Sequence, residues 1–574
     1  MNKANVMKPA DNPISRRSFL GMTGAAVIAA SAANGSQKTD VSYDVCIYGA
    51  TPGGVAAAVA AARSGATVLL LEESAHVGGI VSGGLTNTDI RKKGAVGGLF
   101  QEFVRRVREH YAKTYGADSQ QVKVCRGGHM FEPRVAELVF NNMLAGESRI
   151  RLLLRHRVVA ARVKGADGKE RAAEPGRRFD GAQPKQVGEA VKLTGLIAED
   201  LAQPGSRLTF STRVFIDATY EGDLAALAGV PYRVGRESRQ TFAEPLAGRI
   251  YMRFGDRNPL PGSTGAADAG IQAFCFRFHV TKDASNSVPV EKPPGYNRDD
   301  YRAVLADLRL GKAKRLRDII QLYQMPNGKF EVNSNHADGV TSVSESLDLA
   351  EENWTWPEAN REERARIFGR YWSHNEGLLW LLQHDPEVPQ GIRAEALQYG
   401  FPKDEFIDNR HRPHSLYVRQ GRRIWGEYNF TQRDGDRDNA TGLPKRKPDG
   451  IAVAEFEFDS HGVTKFDPAY PGVREGYIFV PHEPIQIPYG VLVPQRVDGL
   501  LVPVACSASH VGYSTIRMEP VFMALGEACG IAAKIAIDAR VEVRRVNVPA
   551  VQREILKRGG VILYEAQPLR PDGL

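Results

Sequence analysis

The sequence predicts an α/β fold, and three observations lead to this prediction. Apolar stretches that read as buried strands occur at 43–48, 66–71, 214–217 and 497–504. An Ala-rich stretch with helical character, 55–64, connects the first two, and a long apolar helix is predicted over 520–538. Strands joined by a helix in this order are typical of a parallel sheet. The length of 574 residues predicts two to four domains or one large fold with insertions.

The first predicted element is a glycine-rich turn between a strand and a helix. The strand at 43–48 runs into Gly49-Ala-Thr-Pro-Gly-Gly54, and the second strand ends in Glu72, 23 residues after Gly49. Strand, turn, helix, strand and acid in this order characterise the Rossmann-like dinucleotide-binding unit. Its glycines allow the backbone to approach a pyrophosphate, and the helix N-terminus attracts the negative charge. Thr51 replaces the middle glycine of the motif, and an ordinary glycine-rich turn is the weaker alternative.

The glycines that follow the turn indicate which nucleotide binds. Eleven glycines lie between 49 and 98, among them Gly78 and Gly79. A nicotinamide cofactor needs only the first turn. Repeated close approaches of the backbone therefore favour a longer cofactor that lies across the protein and carries a flavin at its far end.

The composition excludes several other classes of protein. The five cysteines include no CxxC pair, so a Cys-ligated zinc ribbon or iron–sulfur cluster is not expected, and no metal site is predicted. The first 32 residues carry four basic side chains and one acidic one, so removing them lowers the formal charge from +8 to about +5. This small charge on a long chain is not the footprint of a nucleic-acid-binding protein. No stable membrane span is expected after processing, because the body of the chain has no apolar run of 18 residues.

The N-terminus, residues 1–33, resembles a twin-arginine export signal. Ser15-Arg-Arg-Ser-Phe-Leu20 precedes a small apolar run over 21–33, with Ala30-Ser-Ala32 as a cleavage site. The resemblance implies that the twin-arginine translocase exports the folded chain, which is then periplasmic or secreted. An ordinary secretory signal, or a basic and apolar N-terminus without this function, remains the alternative.

Five motifs of the sequence together point to a known protein family, and they span 43 to about 560, essentially the whole mature chain. The motifs are Gly49-Ala-Thr-Pro-Gly-Gly54, Glu72 with Gly78-Gly79, Asp217-Ala-Thr-Tyr-Glu-Gly-Asp223, Tyr417-Val-Arg-Gln-Gly-Arg-Arg-Ile-Trp-Gly426, and Ile487-Pro-Tyr-Gly-Val-Leu-Val-Pro494 continuing through Ser507-Ala-Ser-His-Val-Gly-Tyr-Ser-Thr-Ile-Arg517. With these motifs the chain resembles the FAD-dependent oxidoreductase family of the glutathione-reductase-like flavoprotein superfamily. The last glycine of the family motif Ala-Thr-Gly is Tyr220 in this sequence, so the path of the backbone beside the cofactor is left open.

The resemblance implies FAD as the cofactor and a cofactor domain assembled from separated segments. Residues 42–235 would form its first part, with a β-meander after 150, and 487–574 would complete it. Residues 236–486 would be a large inserted α+β domain that selects the substrate. The implied cofactor-binding residues are Gly49, Thr51, Pro52, Gly53, Gly54, Glu72, Glu73, Gly78, Gly79, Ser82, Ala218, Thr219, Asp223, Ser507, Ser514 and Met518.

Four residues are candidates for catalysis, and a histidine is the first of them. Hydride transfer from an alcohol needs a base that accepts the hydroxyl proton, and histidine titrates in the right range. His510 lies between the end of a predicted strand and Arg517. The alternative is a histidine that contacts FAD or fixes the loop. Rival histidines for the base are His411, His414 and His482.

The other three candidates carry cationic or phenolic groups. Arg517 is predicted to stabilise the negative charge of reduced flavin, with a salt bridge at a helix terminus as the alternative. Tyr417 and Arg419 resemble family positions near the active site, where they would bind substrate oxygens. An ion pair between domains is the other interpretation of Arg419.

The tryptophans suggest what the substrate is. All five, Trp354, Trp356, Trp372, Trp380 and Trp425, fall within 72 residues of the middle segment, where they either stack on sugar rings or simply pack. We therefore expect an exported FAD-dependent oxidoreductase that takes a hydride from a hydroxylated small molecule, a sugar or glycoside. The alternatives are a flavin dehydrogenase of amines or C–C bonds and a polysaccharide-binding protein without turnover. The sequence leaves open the electron acceptor, covalent attachment of FAD through a residue such as His76, and the oligomeric state.

Overall fold

The computed structural model describes residues 42–179, 189–335, 346–465 and 473–564. The predicted export signal, 1–33, lies outside the described residues, and so does 180–188 of the exposed loop that the sequence predicts over 165–188. The division of the chain into domains stays a prediction.

The predicted glycine-rich turn connects the first strand to the first helix. Pro52 begins that helix, where its fixed φ is favourable, and Thr51 caps it by accepting a hydrogen bond of 3.2 Å from the N–H of Gly54. The elements of this segment are β1 (Val45–Tyr48), α1 (Pro52–Arg63), β2 (Val68–Leu71), α2 (Gly79–Gly83), α3 (Gly98–Tyr115), α4 (Gln120–Val124) and α5 (Pro133–Ala145).

The next segment forms the predicted β-meander and returns to the first strand. Its elements are β3 (Ile150–Leu153), β4 (His156–Lys164), β5 (Glu170–Ala172), β6 (Val191–Asp200), β7 (Arg207–Ser211), β8 (Val214–Asp217) and α6 (Asp223–Leu227). Strand β4 pairs antiparallel with β5 and β6, and β6 pairs antiparallel with β7. Strand β8 instead runs parallel to β1.

The middle of the chain mixes two longer helices with many short strands. The predicted helices at 301–310 and 361–374 are confirmed as α8 (Arg302–Arg309) and α9 (Arg361–His384). Helix α9 continues to His384 because Leu378 to Leu382 extend its buried face. The elements are β9 (Tyr232–Arg233), α7 (Arg239–Phe242), β10 (Tyr251–Met252), β11 (Phe278–Thr281), β12 (Ser287–Val288), α8 (Arg302–Arg309), β13 (Ile320–Gln324), β14 (Lys329–Ser334), α9 (Arg361–His384), α10 (Gln390–Ala396), β15 (Phe401–Pro402), β16 (Arg423–Ile424), β17 (Gly450–Ala454), β18 (Phe458–Ser460), β19 (Arg474–Glu475) and β20 (Ile478–Val480).

The C-terminal segment completes the central sheet. Its elements are β21 (Ile485–Pro488), β22 (Val497–Asp498), β23 (Leu500–Leu501), α11 (His510–Ile516), α12 (Glu519–Ala539) and α13 (Val548–Lys557). The single strand expected over 497–504 is two short strands, because Gly499 between them has a φ of +75°. Strand β23 joins a five-stranded sheet of order β23-β8-β1-β2-β3, in which every pairing is parallel. The predicted α/β class is confirmed.

Helix α12 packs against α1 through small residues. A Cβ on Gly526 would lie 2.0 Å from the carbonyl oxygen of Gly53, and one on Gly530 would lie 2.3 Å from that of Ala57. Glycine at both positions therefore lets the two backbones approach closely. Helix α12 is long and apolar enough to cross a membrane, but 83% of its most apolar window is buried inside the protein. Its burial is that of a core helix.

Candidate functional site

A cavity of about 740 Å³ lies at the carboxyl ends of the parallel strands β1 and β8. Its wall includes Tyr48 and Gly49 from the end of β1, and Thr219 and Tyr220 after β8. The carboxyl ends of parallel strands are where doubly wound folds bind their ligands. The volume lies within the range of small-molecule and cofactor sites, about 300–1,000 Å³.

Glycine is required at the turn that borders the cavity. Gly49 has a φ of +98°, and a Cβ on it would lie 2.9 Å from the backbone of Ala218 and Thr219. A Cβ on Gly54 would lie 1.9 Å from the carbonyl oxygen of Gly49. The turn thus has no space for a side chain at either position, and α1 begins directly beside the cavity.

Thr51, which replaces the middle glycine of the motif, fixes the turn to the sheet. Its hydroxyl donates a hydrogen bond of 2.8 Å to the carbonyl oxygen of Ala218 and accepts one from the N–H of Gly54. The side chain therefore connects β8 to the start of α1 while the residue still borders the cavity.

Two acids line the cavity after β2. The carboxylate of Glu72 accepts hydrogen bonds from the backbone N–H groups of Ala50 (2.7 Å) and Ser74 (2.8 Å), which fix its orientation. An acid at this place of a Rossmann-like unit binds ribose hydroxyls. Burial raises the pKa of Glu73, although the nearby Arg157 opposes the shift.

Tyr220 occupies the space that glycine leaves open at position 79. A Cβ on Gly79 would lie 2.6 Å from the Tyr220 hydroxyl. This hydroxyl accepts a hydrogen bond of 3.1 Å from the N–H of Ile80 and donates one of 2.9 Å to Glu519. Tyr220 stands where the family motif Ala-Thr-Gly has its glycine. Its phenol thus fixes the backbone here through these two hydrogen bonds, and it also lines the cavity.

Asp223 lines the cavity with two arginines bound to it. Arg364 binds its carboxylate at 2.6 and 2.9 Å, and Arg422 binds it at 2.8 Å. Burial opposes ionisation, but the two guanidinium groups outweigh it and hold the pKa of Asp223 below its usual value. Trp356 lines the cavity nearby and donates a hydrogen bond of 2.9 Å to Glu221.

Seven of the sixteen predicted cofactor residues line this cavity: Gly49, Thr51, Glu72, Glu73, Gly79, Thr219 and Asp223. The other nine, which are not among its lining residues, are Pro52, Gly53, Gly54, Gly78, Ser82, Ala218, Ser507, Ser514 and Met518. Among these nine, the hydroxyls of Ser82 and Ser514 bond to the backbone carbonyls of Val77 (2.6 Å) and Val511 (2.7 Å). Contact of the nine with a cofactor stays a prediction.

Three of the four predicted catalytic residues meet in a buried cluster, which we call the Arg517 cluster: Tyr417, Arg419, Asp459 and Arg517. The guanidinium of Arg517 lies 3.2 Å from the Tyr417 hydroxyl and 2.9 Å from the Asp459 carboxylate. The Arg419 guanidinium lies 4.7 Å from the centre of the Tyr417 ring. Burial raises the pKa of Tyr417 to about 12, so its phenol keeps its proton at neutral pH.

The Arg517 cluster lies behind the cavity wall. Leu416 and Val418 line the cavity, whereas Tyr417 and Arg419, which alternate with them, are not among the lining residues. Arg419 also forms an ion pair of 3.2 Å with Asp348, whose carboxylate lies 2.6 Å from Nδ1 of His461. This Asp348–His461 pair belongs to no motif, so the sequence did not predict it.

His510 lies beside the Arg517 cluster but is enclosed. Its Nδ1 contacts the side-chain oxygen of Gln420 at 2.8 Å, and its Nε2 contacts the Ser460 hydroxyl at 3.3 Å. Burial, reinforced by nearby arginines, lowers the pKa of His510 well below its usual value. This geometry is that of a histidine that fixes the loop, and its role as a base stays a prediction.

The rival histidines take different positions. His414 lines the cavity and stacks on His76 with ring centres 3.9 Å apart, and His76 also contacts Glu137 and Asp408. His482 lies 3.0 Å from the hydroxyl of Thr515. Covalent attachment of a cofactor through His76 stays open.

Glu519 is a further residue that sequence reasoning missed. It is 5% exposed at the start of α12, where its carboxyl accepts the hydrogen bond from Tyr220. Burial raises the pKa of Glu519 to about 8. An acid at the first turn of an apolar helix was the available signal, but its partner Tyr220 is 299 residues away in the sequence.

A family model described as FAD dependent oxidoreductase matches residues 44–555, most of the chain. Solved structures similar to parts of the chain include the p-nitrophenol 4-monooxygenase from Pseudomonas putida, with 10% identity over 58% of this chain and 63% of that chain and a TM-score of 0.22. A myxobacterial chondrochloren halogenase has 12% identity over 60% of this chain and 62% of that chain, with a TM-score of 0.23. The glycerol-3-phosphate dehydrogenase from Bacillus halodurans, complexed with FAD, has 12% identity over 38% and 45%, with a TM-score of 0.22.

Each of these three matches spans less than two thirds of the solved chain. Similarities this distant transfer no activity or substrate to the present protein. A comparison with curated proteins found no match.

Proposed function

Because the chain belongs to the FAD dependent oxidoreductase family and uses FAD as its cofactor, we propose that it oxidises a hydroxylated small molecule, a sugar or glycoside. A hydride would pass from the hydroxyl-bearing carbon to the flavin, and the hydroxyl proton would pass to a base. The observation that carries the proposal is the Arg517 cluster, which offers cationic and phenolic donors directly behind the cavity wall.

The residues around the cavity fit FAD. The turn at 49–54 lets the backbone approach a pyrophosphate closely, because glycine at positions 49 and 54 carries no Cβ, and a Cβ at either position would collide with neighbouring backbone. Glu72, oriented by two backbone N–H groups, would bind the ribose hydroxyls. Bound FAD supplies the two-electron acceptor, and the protein supplies position and electrostatics.

The Arg517 cluster would bind and orient the substrate. Arg517 is held by the carboxylate and the backbone carbonyl of Asp459, so its guanidinium is already fixed. Tyr417 keeps its proton and would donate a hydrogen bond to a substrate oxygen that reaches past the lining residues Leu416 and Val418. Trp356 lines the cavity and would contact a sugar bound there.

The experiment that tests this function is an anaerobic screen of the FAD-loaded protein with sugars, glycosides, amines and saturated acids. We expect loss of the oxidised-flavin absorption with at least one polyhydroxylated compound. Reduction by amines or saturated acids alone would contradict the proposal and favour the other dehydrogenase chemistries. Tight glycan binding without any flavin reduction would instead indicate a binding protein.

Export through the twin-arginine translocase is a separate part of the proposal. Ser15-Arg-Arg-Ser-Phe-Leu20 and the apolar run over 21–33 support it, and the order of the nucleotide-binding motif supports placement in the glutathione-reductase-like superfamily. A reporter fused to residues 1–40 should reach the periplasm, and the Arg16→Lys/Arg17→Lys double variant should remain inside. Equal export of both would contradict the twin-arginine route.

A further inference from the structure

The buried carboxyl of Glu519 is separated from the cavity by a single side chain. Its Oε1 accepts the hydrogen bond of 2.9 Å from Tyr220, and Tyr220 lines the cavity. Its Oε2 is buried and has no hydrogen-bond partner among the described residues. A buried carboxylate with an unsatisfied oxygen is costly, whereas a protonated carboxyl is tolerated.

We propose that the ionisation of Glu519 is coupled to reduction of the flavin through Tyr220, so that Glu519 takes up a proton when the cofactor receives electrons. Glu519 is a positioning residue in this sense, because it acts on the cavity through the phenol. The inference rests on FAD as the cofactor and not on the proposed substrate.

The surroundings of Glu519 favour a group that titrates near neutral to mildly basic pH. Burial is the main cause that raises the pKa of Glu519 to about 8, the hydrogen bond from Tyr220 opposes this, and the charge of Asp89 adds to it. Asp89 itself lies near Arg277 and Arg517, of which Arg517 is two residues before Glu519. Tyr220, Asp89 and Tyr513, whose pKa the charge of Glu519 helps to raise, are the titratable groups that face it among the described residues.

The proton balance gives the coupling a measurable form. Reduction of flavin by a hydride equivalent adds two electrons and one proton. Negative charge on the reduced flavin raises the pKa of a nearby carboxyl, so Glu519 binds its proton more tightly in the reduced protein. Where Glu519 has lost its proton in the oxidised protein, reduction therefore takes up a second proton from solvent.

The test is a potentiometric titration of the FAD-loaded protein at several pH values, with a chemical reductant in place of a substrate. One proton per two electrons corresponds to about 30 mV per pH unit and two protons to about 59 mV. In the wild type, we expect the slope of the reduction potential against pH to steepen from about 30 mV towards about 59 mV per pH unit above about pH 8, where Glu519 ionises in the oxidised protein. In Glu519→Gln this slope should stay near about 30 mV per pH unit over the whole pH range.

Two variants control this experiment. Glu527→Gln removes another buried glutamate of α12, one bonded to the N–H of Leu99, and should titrate like the wild type. Tyr220→Phe removes the hydrogen bond that lowers the pKa of Glu519, so the change of slope should move to higher pH. The proposal would be overturned if wild type and Glu519→Gln gave the same dependence of reduction potential on pH. It would also be overturned if Tyr220→Phe left the pH at which the slope changes where it is in the wild type.

An infrared measurement keeps the proposal testable if Glu519→Gln does not retain FAD. In the wild type above pH 8, the reduced-minus-oxidised difference spectrum should show a gained band of a protonated carboxyl, and at pH 7 it should show none. Absence of the gained band above pH 8 would overturn the coupling. Because no substrate is added, failure here leaves the proposed sugar oxidation untouched.

Discussion

Two residues that depart from the expected motifs have clear structural roles. Thr51 connects the end of β8 to the start of α1 through its hydroxyl, and Tyr220 fills the space beside Gly79 while it bonds to Ile80 and Glu519. Both positions are glycine in the usual pattern. At each of them a side chain now makes hydrogen bonds that a glycine could not make.

The requirement for glycine at position 49 predicts a loss of cofactor binding. In Gly49→Ala the new Cβ meets the backbone of Ala218 and Thr219 at a positive φ, so we expect FAD affinity to fall by at least about tenfold. Gly116→Ala is the matched control, because Gly116 has a φ of +94° but nothing within 4 Å of its Cβ position. Fluorescence titration with FAD measures both. Equal losses of affinity would mean that backbone strain alone, rather than the cavity wall, is responsible.

Glu527 predicts how stability depends on pH. Burial raises its pKa to about 7, above its value of about 4.3 in an unfolded chain. Its contribution to the free energy of unfolding is therefore fully present below pH 4 and is lost as pH rises through 7. From pH 5 to pH 8 the free energy of unfolding of the wild type should therefore fall. In Glu527→Gln, which lacks this carboxyl, we expect the fall to be smaller by about 3 kcal/mol. Urea unfolding at both pH values measures this, and parallel curves would contradict it.

The sequence carries local signals for the turn beside the cavity, but none for the buried contacts of the candidate catalytic residues. Glu72 and Gly79 follow from a local spacing, because strand, turn, helix and acid are consecutive in the chain. Glu519 and the Asp348–His461 pair depend on partners that lie more than 100 residues away in the sequence. No local spacing contains that information.

At the scale of elements, a buried charge cluster connects α5, β14 and the loop after β15. Lys329 is fully buried, and its ammonium lies 2.7 Å from Glu132, 2.6 Å from Glu405 and 2.8 Å from Asp404. The carboxyl groups come from distant parts of the chain. Lys329 thus compensates charges that lie next to each other, together with the partly exposed Arg134, which lies 2.9 Å from Glu132, 3.0 Å from Asp404 and 3.5 Å from Glu405.

Lys329→Met should therefore destabilise the protein strongly. Removing one partner from a buried ion cluster costs about 3–5 kcal/mol, because the three carboxyl groups then keep only the partly exposed Arg134 as a cation beside them. Burial raises the pKa of Glu405 to about 7, so the loss should be smaller at pH 5 than at pH 8. The exposed Lys557, whose substitution by methionine should change little, serves as the control in chemical denaturation. A loss below 1 kcal/mol in Lys329→Met would contradict the account.

Helices were easier to predict than short strands. Helix α12 begins and ends within one residue of the predicted 520–538, because its apolar composition and its proline are local signals. The stretch 497–504 reads as one strand, but a positive φ at Gly499 divides it and only part of it pairs in the central sheet. Pairing partners in a sheet are tertiary information.

At the scale of the whole molecule, the cavity at the ends of β1 and β8 is lined by residues from separated segments of the chain. The central sheet takes four strands from residues 45–217 and its fifth from residues 500–501. The cavity is closed by Trp356, Arg364 and Leu416, which belong to the middle of the chain. The sequence predicted the α/β class from local patterns. The cavity wall from the middle segment had no such signal, because only folding brings it to the turn at 49–54.

In the proposed reaction, a hydride would leave a hydroxyl-bearing carbon for the flavin of this protein. The most direct measurement is the anaerobic rate of flavin bleaching with the best polyhydroxylated substrate, compared with the same substrate deuterated at that carbon. We expect slower bleaching with the deuterated compound and loss of the deuterium from the oxidised product. Equal rates with deuterium retained in the product, or a flavin that a chemical reductant bleaches but no hydroxylated compound does, would contradict it.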